Sequence, residues 1–305
     1  MCSYPSSMQV SNRCLIMLSD AVRQHRNALR TRWRRLGPGQ QALLVLAHLR
    51  KGETYRDLAE GFGIGTSTVY RYLREGVELL AAMAPTLAQA IAVAQRKAFV
   101  ILDGTLLRID RVGMAGGHDR PFYSGKHKVH GLNVQVIADP AGRLIWASPT
   151  LPGARHDMGA AREHGIIDAI TAAGVLAVAD TAYEGGGAAI RVPQRRRRLD
   201  PDTGRYRRLS AAQREVNAAH ARQRGPGERA NAQLKNWKIL RKIRSSPSRA
   251  TALVRAVQTL IIVAEPGWQS LSARNSPPLL RRSSAGRLRI GGKPQVRALA
   301  PRQLS

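Results

Sequence analysis

The sequence predicts an α/β protein in which an all-α helix-turn-helix domain precedes a domain built on a mixed sheet flanked by helices. Helical periodicity with Gly-rich turns runs over residues 37–80, and apolar segments typical of strands begin near residue 98. A chain of 305 residues has room for one large domain and one small one.

We divide the chain into four parts on these patterns. Residues 1–35 are expected to form an irregular basic leader, and residues 36–95 the helix-turn-helix domain with an Ala-rich helical linker. Residues 96–265 form the sheet domain. Residues 266–305, rich in Ser, Pro, Gly and cations, are expected to be a disordered basic tail.

The charge of the chain points to a polyanionic partner. It carries 49 Lys and Arg against 20 Asp and Glu, a net charge of +29. Such an excess of cations repels itself, and binding to nucleic acid relieves the repulsion. An anionic membrane surface is the weaker candidate because no long basic amphipathic helix dominates the sequence.

Cysteine content and hydropathy exclude several classes of protein. Cys2 and Cys14 alone give neither a disulfide framework nor a Cys-type zinc site. No apolar run approaches the ~18 residues of a membrane span, and the run CLIML is too short for a signal sequence. We therefore expect a cytoplasmic protein.

The N-terminal domain has the element spacing of a helix-turn-helix. GPGQQALLVLAHLRKG predicts one apolar-striped helix, and Thr54 with Asp57 predicts a capping box at the start of a short one. A Gly-Ile turn then leads into a recognition helix that begins at Gly65. Its outward side chains are predicted to contact DNA: Thr66, Ser67, Thr68, Arg71 and Arg74. A helical adaptor that only packs is the alternative.

The sheet domain is predicted from a run of strands and helices. AFVILDGTLLRID predicts the first strand, and a turn over residues 139–142 joins the next two. An amphipathic helix closed by Gly174 precedes the strand VLAVAD, and residues 184–208 are expected to be a solvated loop. Helices are predicted over residues 210–224 and 228–244, followed by a more apolar helix.

Two predicted strands each place one acid in an apolar setting. Asp103 follows FVIL and Asp180 follows VLAVA. An unpaired carboxylate beside a dry strand costs free energy, so it is normally paired or bound to a metal. Glu228 is the third candidate, because it is the lone acid among the cations of residues 224–244.

The helix predicted after Glu228 is suited to hold that carboxylate against the protein. At about 100° per residue, one stripe carries Glu228 and the polar or basic residues Asn231, Lys235, Lys238 and Lys242. Four apolar residues lie on the opposite side, Ala230, Leu234, Trp237 and Leu240, whereas Ile239 and Ile243 fit neither side. We expect Lys235 and Lys238 to follow a phosphate backbone.

Three carboxylates that meet would repel one another, and a divalent cation removes that penalty. Oxygen-only ligands favour Mg²⁺ or Mn²⁺ over zinc. Two such ions would activate a water or a 3′-hydroxyl for in-line displacement at phosphorus. Glu184 and Glu215 are the fallback candidates for the third acid.

Other polar residues have two interpretations each. Tyr123, Lys126 and Lys128 suit phosphate contact and base stacking, or belong to a solvated hairpin end. Asp157 either caps a helix or assists the metal site. His127 and His130 are not expected to be a ligand pair, because their odd separation sends them to opposite faces of a strand.

Several motifs in order resemble one known family. LDGTLLRID, VADTAYEG and GERANAQLKNWKILRK, with the segment ending LPGARHD, are similar to the insertion-sequence-5 superfamily of DDE transposases. Within it, the chain resembles the group with a helix-turn-helix ahead of a ribonuclease-H-like catalytic domain. The resemblance covers residues 36–265. In place of a frequent Lys-Gly after the second acid, this chain has Thr181-Ala182.

The resemblance implies a function and its residues. Asp103, Asp180 and Glu228 would be the catalytic metal ligands, and Mg²⁺-dependent cleavage at terminal inverted repeats would be followed by strand transfer. The active complex would be a homodimer or larger, and the protein would act on the DNA of a bacterial nucleoid. A DNA-binding regulator that has lost catalysis and a structure-selective nuclease are the alternatives. A transposase gives metal-dependent cleavage products, which the regulator would not give. It also gives joined products, which the nuclease would not give.

Overall fold

The N-terminal helices pack around one shared core in the computed structural model, which describes residues 8–31, 33–110, 119–196, 199–244 and 246–265. Their bounds are α1 (Asn12–Ala28), α2 (Pro38–Lys51), α3 (Tyr55–Phe62), α4 (Thr66–Ala82) and α5 (Leu87–Ala94).

The predicted helix-turn-helix is present in α3 and α4. Thr54 Oγ1 accepts a hydrogen bond from the Asp57 N–H at 3.2 Å, which confirms the capping box. Gly63 follows α3 with φ +63°, a left-handed conformation that glycine adopts without steric cost. The turn therefore redirects the chain into α4, whose buried side includes Tyr72 and Leu73.

The expectation of an irregular leader is wrong for α1. Ser11 caps the helix, accepting a hydrogen bond from the Arg13 N–H at 3.3 Å. Cys14, Leu18 and Val22 follow at four-residue intervals and are fully buried, so they form one apolar stripe. The Cys14 thiol donates to the Leu260 carbonyl at 3.3 Å, which joins this helix to the far end of the described chain.

A mixed sheet forms the second part of the fold. β1 is antiparallel to β3 and parallel to β6, which is in turn parallel to β7. The predicted turn over residues 139–142 joins β3 to β4, with Gly142 at φ +77°. The strands are β1 (Val100–Ile109), β2 (Tyr123–Ser124), β3 (Val129–Ala138), β4 (Leu144–Ala147), β5 (Leu151–Pro152), β6 (Ala177–Ala179), β7 (Ile190–Arg191) and β8 (Lys242–Ile243).

Helices cover both faces of this sheet, as the predicted fold class requires. α9 and α11 share a core with α1, α2 and α4 on one face, while α5, α6 and α7 pack on the other. The helices described after β5 are α6 (Asp157–Glu163), α7 (Ile166–Ala172), α8 (Ala211–Arg224), α9 (Gly227–Lys235), α10 (Lys238–Arg241) and α11 (Pro247–Ala264).

Three element boundaries differ from the sequence prediction. The helix expected before Gly174 is two helices, because Gly165 interrupts it with φ +69°. The helix expected over residues 228–244 ends at Lys235, since Trp237 is extended and turns its ring into the core. The expected loop over residues 184–208 contains β7.

Two further results concern the chain ends and the membrane. The predicted disordered tail over residues 266–305 lies outside the described residues. Within the described ranges, no single helix is both long and apolar enough to cross a membrane, and α4 with α5 pass that test only as a pair bent by 47°.

Candidate active site

The register of two parallel strands brings Asp103 and Asp180 side by side. Leu102 of β1 pairs with Ala179 of β6, so the two aspartates are the next residues along neighbouring strands. Aligned residues of adjacent strands project to the same side of a sheet. Asp180 leaves the strand at this point, and its Oδ1 accepts a hydrogen bond from the Ala182 N–H at 2.8 Å.

The environment of Asp103 makes its ionised form costly. Burial raises the pKa of Asp103, and the negative charge of Asp180 raises it further. The charge of Arg224 and hydrogen bonds from the Gly104 N–H and the Asn231 amide act in the opposite direction. The two carboxylates therefore repel each other in a poorly solvated place, which is the situation that a bound cation relieves.

Helix α9 covers the sheet on the side of Asp103. Gly227 packs so closely on Ile101 that an added Cβ would lie 2.6 Å from its Cγ2. One turn further, Asn231 Nδ2 donates to Asp103 Oδ2 at 2.8 Å. Burial lowers the pKa of Lys235, whereas the charge of Asp103 raises it, so this ammonium also lies close to the first acid.

Glu228 lies in the first turn of α9 and is exposed. Asn231 and Lys235 follow it by three and seven residues, which places all three on one side of the helix. Among the residues the structure describes, no group of three or more His, Cys, Asp or Glu is arranged to hold a metal ion. The assignment of Glu228 as third acid stays a prediction.

The donor atoms present nevertheless suit a hard divalent cation. Asp103 and Asp180 supply carboxylate oxygens, and Asn231 Oδ1 is a buried amide oxygen that accepts no hydrogen bond. Mg²⁺ and Mn²⁺ prefer oxygen ligands of this kind. This fit rests on the unpaired oxygen beside Asp103, which the sequence prediction did not include.

The two fallback candidates for the third acid, Glu184 and Glu215, differ in their surroundings. Glu184 Oε2 lies 3.0 Å from Arg195 Nη1, and Glu215 is exposed on α8. Arg195 Nη2 also donates to the Thr181 carbonyl at 3.1 Å. A guanidinium therefore lies beside Thr181.

Asp157 faces the opposite side of the sheet from Asp103. Gly104 follows Asp103 on β1 and so points the other way. A Cβ at Gly104 would lie 2.2 Å from Asp157 Oδ1, because the carboxylate fills the space where a side chain would be. The predicted N-cap role of Asp157 is wrong, since the cap residue is His156.

A buried hydrogen-bond network holds that carboxylate in place. Asp157 Oδ1 accepts from Asn133 Nδ2 at 2.8 Å, and Gln135 Nε2 donates to Asn133 Oδ1 at 2.8 Å. The Tyr183 hydroxyl donates to Gln135 Oε1 at 2.5 Å. Sequence reasoning missed this network, although polar residues at alternate positions of the strand segment GLNVQV could have indicated it.

Comparison with known proteins decides the family. Residues 102–261 match the family model described as DDE superfamily endonuclease, and residues 34–86 match the helix-turn-helix of DDE superfamily endonuclease. The chain belongs to the DDE endonuclease superfamily. The mixed sheet flanked by helices is accordingly its ribonuclease-H-like domain.

One relative of this chain is described as "Putative transposase for insertion sequence element IS112" of Streptomyces albus G. The two are 31% identical over 210 residues, which is 67% of this chain and 71% of the relative. No solved structure matches the chain.

The recognition helix exposes most of the residues predicted to contact DNA. Thr66, Ser67, Arg71 and Arg74 are exposed, and Thr68 is half-buried. Arg71 Nη2 donates to Thr68 Oγ1 at 3.3 Å, and Arg74 pairs with Glu78 at 2.8 Å. Intrahelical contacts between exposed side chains are weak, so these groups can exchange them for phosphates.

The second predicted DNA patch lies at the hairpin end. Tyr123 is 40% exposed and stacks edge-on against His130 with ring centroids 5.2 Å apart, while Lys126 and Lys128 are exposed. Lys126 Nζ lies 3.7 Å from Asp157 Oδ2. His130 pairs with Asp119 at 3.2 Å, and His127 lies in the turn before the strand.

A basic cleft of about 620 Å³ lies between the helix-turn-helix and the endonuclease region. Arg249 stacks on the Tyr70 ring at 5.0 Å and hydrogen-bonds its hydroxyl. The break after α9 places Lys238 in this cleft, away from the stripe predicted for it. Its lining also includes Tyr55, Arg74, Lys242 and Arg244.

Proposed function

We propose that the chain is a DNA transposase of the insertion-sequence-5 superfamily that uses Asp103, Asp180 and Glu228 as its catalytic acids. The observation that carries the proposal is the juxtaposition of Asp103 and Asp180 on neighbouring strands inside the region that matches the DDE endonuclease. Burial of Asp103 and the unpaired Asn231 oxygen support a cation-binding role for this place.

The proposed reaction is phosphoryl transfer without a covalent protein intermediate. In cleavage, the oxygen of a water attacks phosphorus and the bond from phosphorus to the 3′ oxygen breaks, leaving a 3′-hydroxyl and a 5′-phosphate. In strand transfer, that 3′-hydroxyl attacks a target phosphodiester and displaces its 3′ oxygen. Bound Mg²⁺ or Mn²⁺, in two sites, would supply electrostatic stabilisation of the attacking and leaving oxygens.

The residues of the chain would orient the DNA for this reaction. Asp103, Asp180 and Glu228 would hold the cations, and Lys235 beside Asp103 would contact a phosphate next to the reacting one. The recognition helix and the basic cleft would bind the duplex of the terminal repeat. Target DNA and a second protomer complete the proposed complex, which would act in the bacterial cytoplasm.

The test uses the full chain and a duplex carrying the DNA that flanks its gene. With Mg²⁺, we expect cleavage at the terminal repeat and joined products with a target plasmid. Asp103→Asn should bind the duplex and yield neither product. Equal cleavage by Asp103→Asn and the parent would refute the assignment.

A second candidate function is a DNA-binding regulator without catalysis. Thr181-Ala182 replaces the Lys-Gly that the resemblance leads one to expect, and Glu228 is exposed. Such a protein would shift the terminal-repeat duplex in a gel and give no product with Mg²⁺ or Mn²⁺. Any product with a free 3′-hydroxyl that disappears in Asp103→Asn eliminates this candidate.

A further inference from the structure

The orientation of the Asn231 amide is fixed by its neighbour. Its Nδ2 donates to Asp103 Oδ2 at 2.8 Å. An ionised carboxylate only accepts hydrogen bonds, so the amide must present its nitrogen to Asp103 and turn its oxygen elsewhere. The direction of Asn231 Oδ1 is therefore set by the first catalytic acid.

That oxygen is left without a donor. Asn231 Oδ1 is buried and accepts no hydrogen bond. Nearly all buried polar atoms in folded proteins have a partner, and an orphan is destabilising, so each one calls for an explanation. Here the amide contacts Asp103, whose carboxylate is repelled by that of Asp180. One cation beside all three groups would satisfy the amide oxygen and offset the repulsion.

A second amide on α9 also has an unpaired buried oxygen, but its nitrogen does not contact an acid of the site. Gln233 Oε1 is also buried and accepts no hydrogen bond. Its Nε2 donates to Glu265 Oε1 at 3.3 Å, at the end of α11, rather than to an acid of the site. Gln233 is two residues from Asn231 and so points to a different side of α9. It provides the matched control.

We propose that Asn231 is a ligand of the catalytic cation, with Oδ1 bound to the metal while Nδ2 orients Asp103. This inference rests on the proposed function, and it adds an oxygen donor between the paired aspartates and Glu228. It also explains why the stripe on α9 carries an amide one turn after the acid. A leucine there would fill the same space and give no donor or acceptor.

The experiment measures Mn²⁺ binding to the metal-free full-length chain, with free Mn²⁺ counted from its electron paramagnetic resonance signal. The parent should bind Mn²⁺, and Asp103→Asn should lose most of the affinity. Asn231→Leu should weaken binding about 10–100-fold, the usual effect of removing a group that supports a metal site. Gln233→Leu should bind as the parent does.

Asn231→Asp separates the ligand role from the orienting role. Aspartate keeps an oxygen for the metal and loses the donor to Asp103, so parental or tighter Mn²⁺ binding is expected. Thermal unfolding in EDTA checks that each variant is folded. If the leucine variant is unfolded, the Mn²⁺ affinity of Asn231→Asp tests the ligand role in its place.

The outcomes distinguish this inference from the proposed function. Parental Mn²⁺ affinity in Asn231→Leu, or a loss in Asn231→Asp as large as in the leucine variant, overturns the ligand role. The proposed function survives either result as long as Asp103→Asn still abolishes binding. A parent that binds no Mn²⁺ overturns both.

Discussion

The charged groups of the recognition helix are close together in the sequence and mostly exposed, whereas those of the acid site come from distant segments and are partly covered. On α4 the proposed contact groups come from one stretch of chain, lie within about two turns of each other and are mostly exposed. In the acid site, Asp103 comes from a strand, Asp180 follows another, and α9 covers them with Asn231 and Lys235. DNA affinity and cleavage should therefore respond to different substitutions.

Burial explains why substitutions in the acid site should have larger effects than substitutions on the recognition helix. An exposed cation that contacts a phosphate contributes a small, salt-dependent part of the binding free energy. A buried carboxylate has few neighbours that can replace it, and burial already raises the pKa of Asp103. Substitutions at the acids should have large effects on cleavage, and substitutions on α4 small effects on affinity.

The largest expected effect is the loss of cleavage in Asp103→Asn. Removing one carboxylate from the proposed cation site should slow Mg²⁺-dependent cleavage about 10³-fold or more. Affinity for the terminal-repeat duplex should change little, because α4 is untouched. Single-turnover cleavage and a filter-binding titration measure the two quantities. A parallel loss of both would show that the regions are not separable.

Glu228→Gln is the next largest and tests the third acid. Loss of its charge should slow cleavage about 10²–10³-fold, since it would remove one negative charge from the proposed metal site without changing the size of the side chain. Glu215→Gln, an exposed acid on α8, is the matched control and should cleave as the parent does. A reversal of the two results would move the third acid to α8.

Gly227→Ala tests whether α9 must lie close to β1. The added Cβ would stand 2.6 Å from Ile101 Cγ2, so the helix or the Ile101 side chain has to shift. We expect a loss of about 1–3 kcal/mol in the free energy of unfolding, with slower cleavage because a shift of α9 would also displace Glu228 and Asn231. Urea unfolding checks the first effect.

The control for that variant is Gly159→Ala on α6. Its added Cβ would meet only the Arg155 side chain, at 3.7 Å, which is ordinary van der Waals contact. Stability should be equal or slightly higher, because alanine favours a helix over glycine. Equal cleavage by Gly227→Ala and the parent would show that the position of α9 does not matter to the site.

Arg71→Ala has the smallest expected effect and concerns α4 alone. Affinity for the duplex should fall a few-fold, and the slope of log affinity against log salt should lessen by about one unit. Cleavage at saturating DNA should be unchanged. Arg23→Ala, an exposed arginine of α1 paired with Asp20, is the control. An unchanged salt slope in Arg71→Ala would remove this residue from the interface.

The same difference between local and distant contacts explains which features could be predicted from the sequence. The helix-turn-helix and its capping box involve neighbours in the chain, so propensity and spacing are sufficient to predict them. Asp103 and Asp180 were identified because each ends an apolar run. Their juxtaposition depends on the pairing of β1 with β6, which no local pattern specifies.

Other features of the site depend on tertiary packing. The helix predicted after Glu228 ends early because Trp237 turns into the core, and this moves Lys238 from the acid site to the basic cleft. Asn231 is an ordinary polar residue in the sequence, and it is distinguished by its contact with Asp103 and its unpaired buried oxygen in the fold. The four-residue spacing of Cys14, Leu18 and Val22 is typical of a helix such as α1. The sequence prediction gave more weight to the basic residues of this segment and missed the helix.

Convergence of three chain segments on one cation can be measured directly by replacing Mg²⁺ with Fe²⁺ in the full-length chain and adding ascorbate and peroxide. Radicals formed at the bound iron cut the nearby backbone, and the fragments identify the positions. We expect cuts near Asp103, near Asp180 and in the segment from Glu228 to Asn231, all suppressed by excess Mg²⁺. Cuts near the two aspartates with none in α9 would contradict the three-acid site.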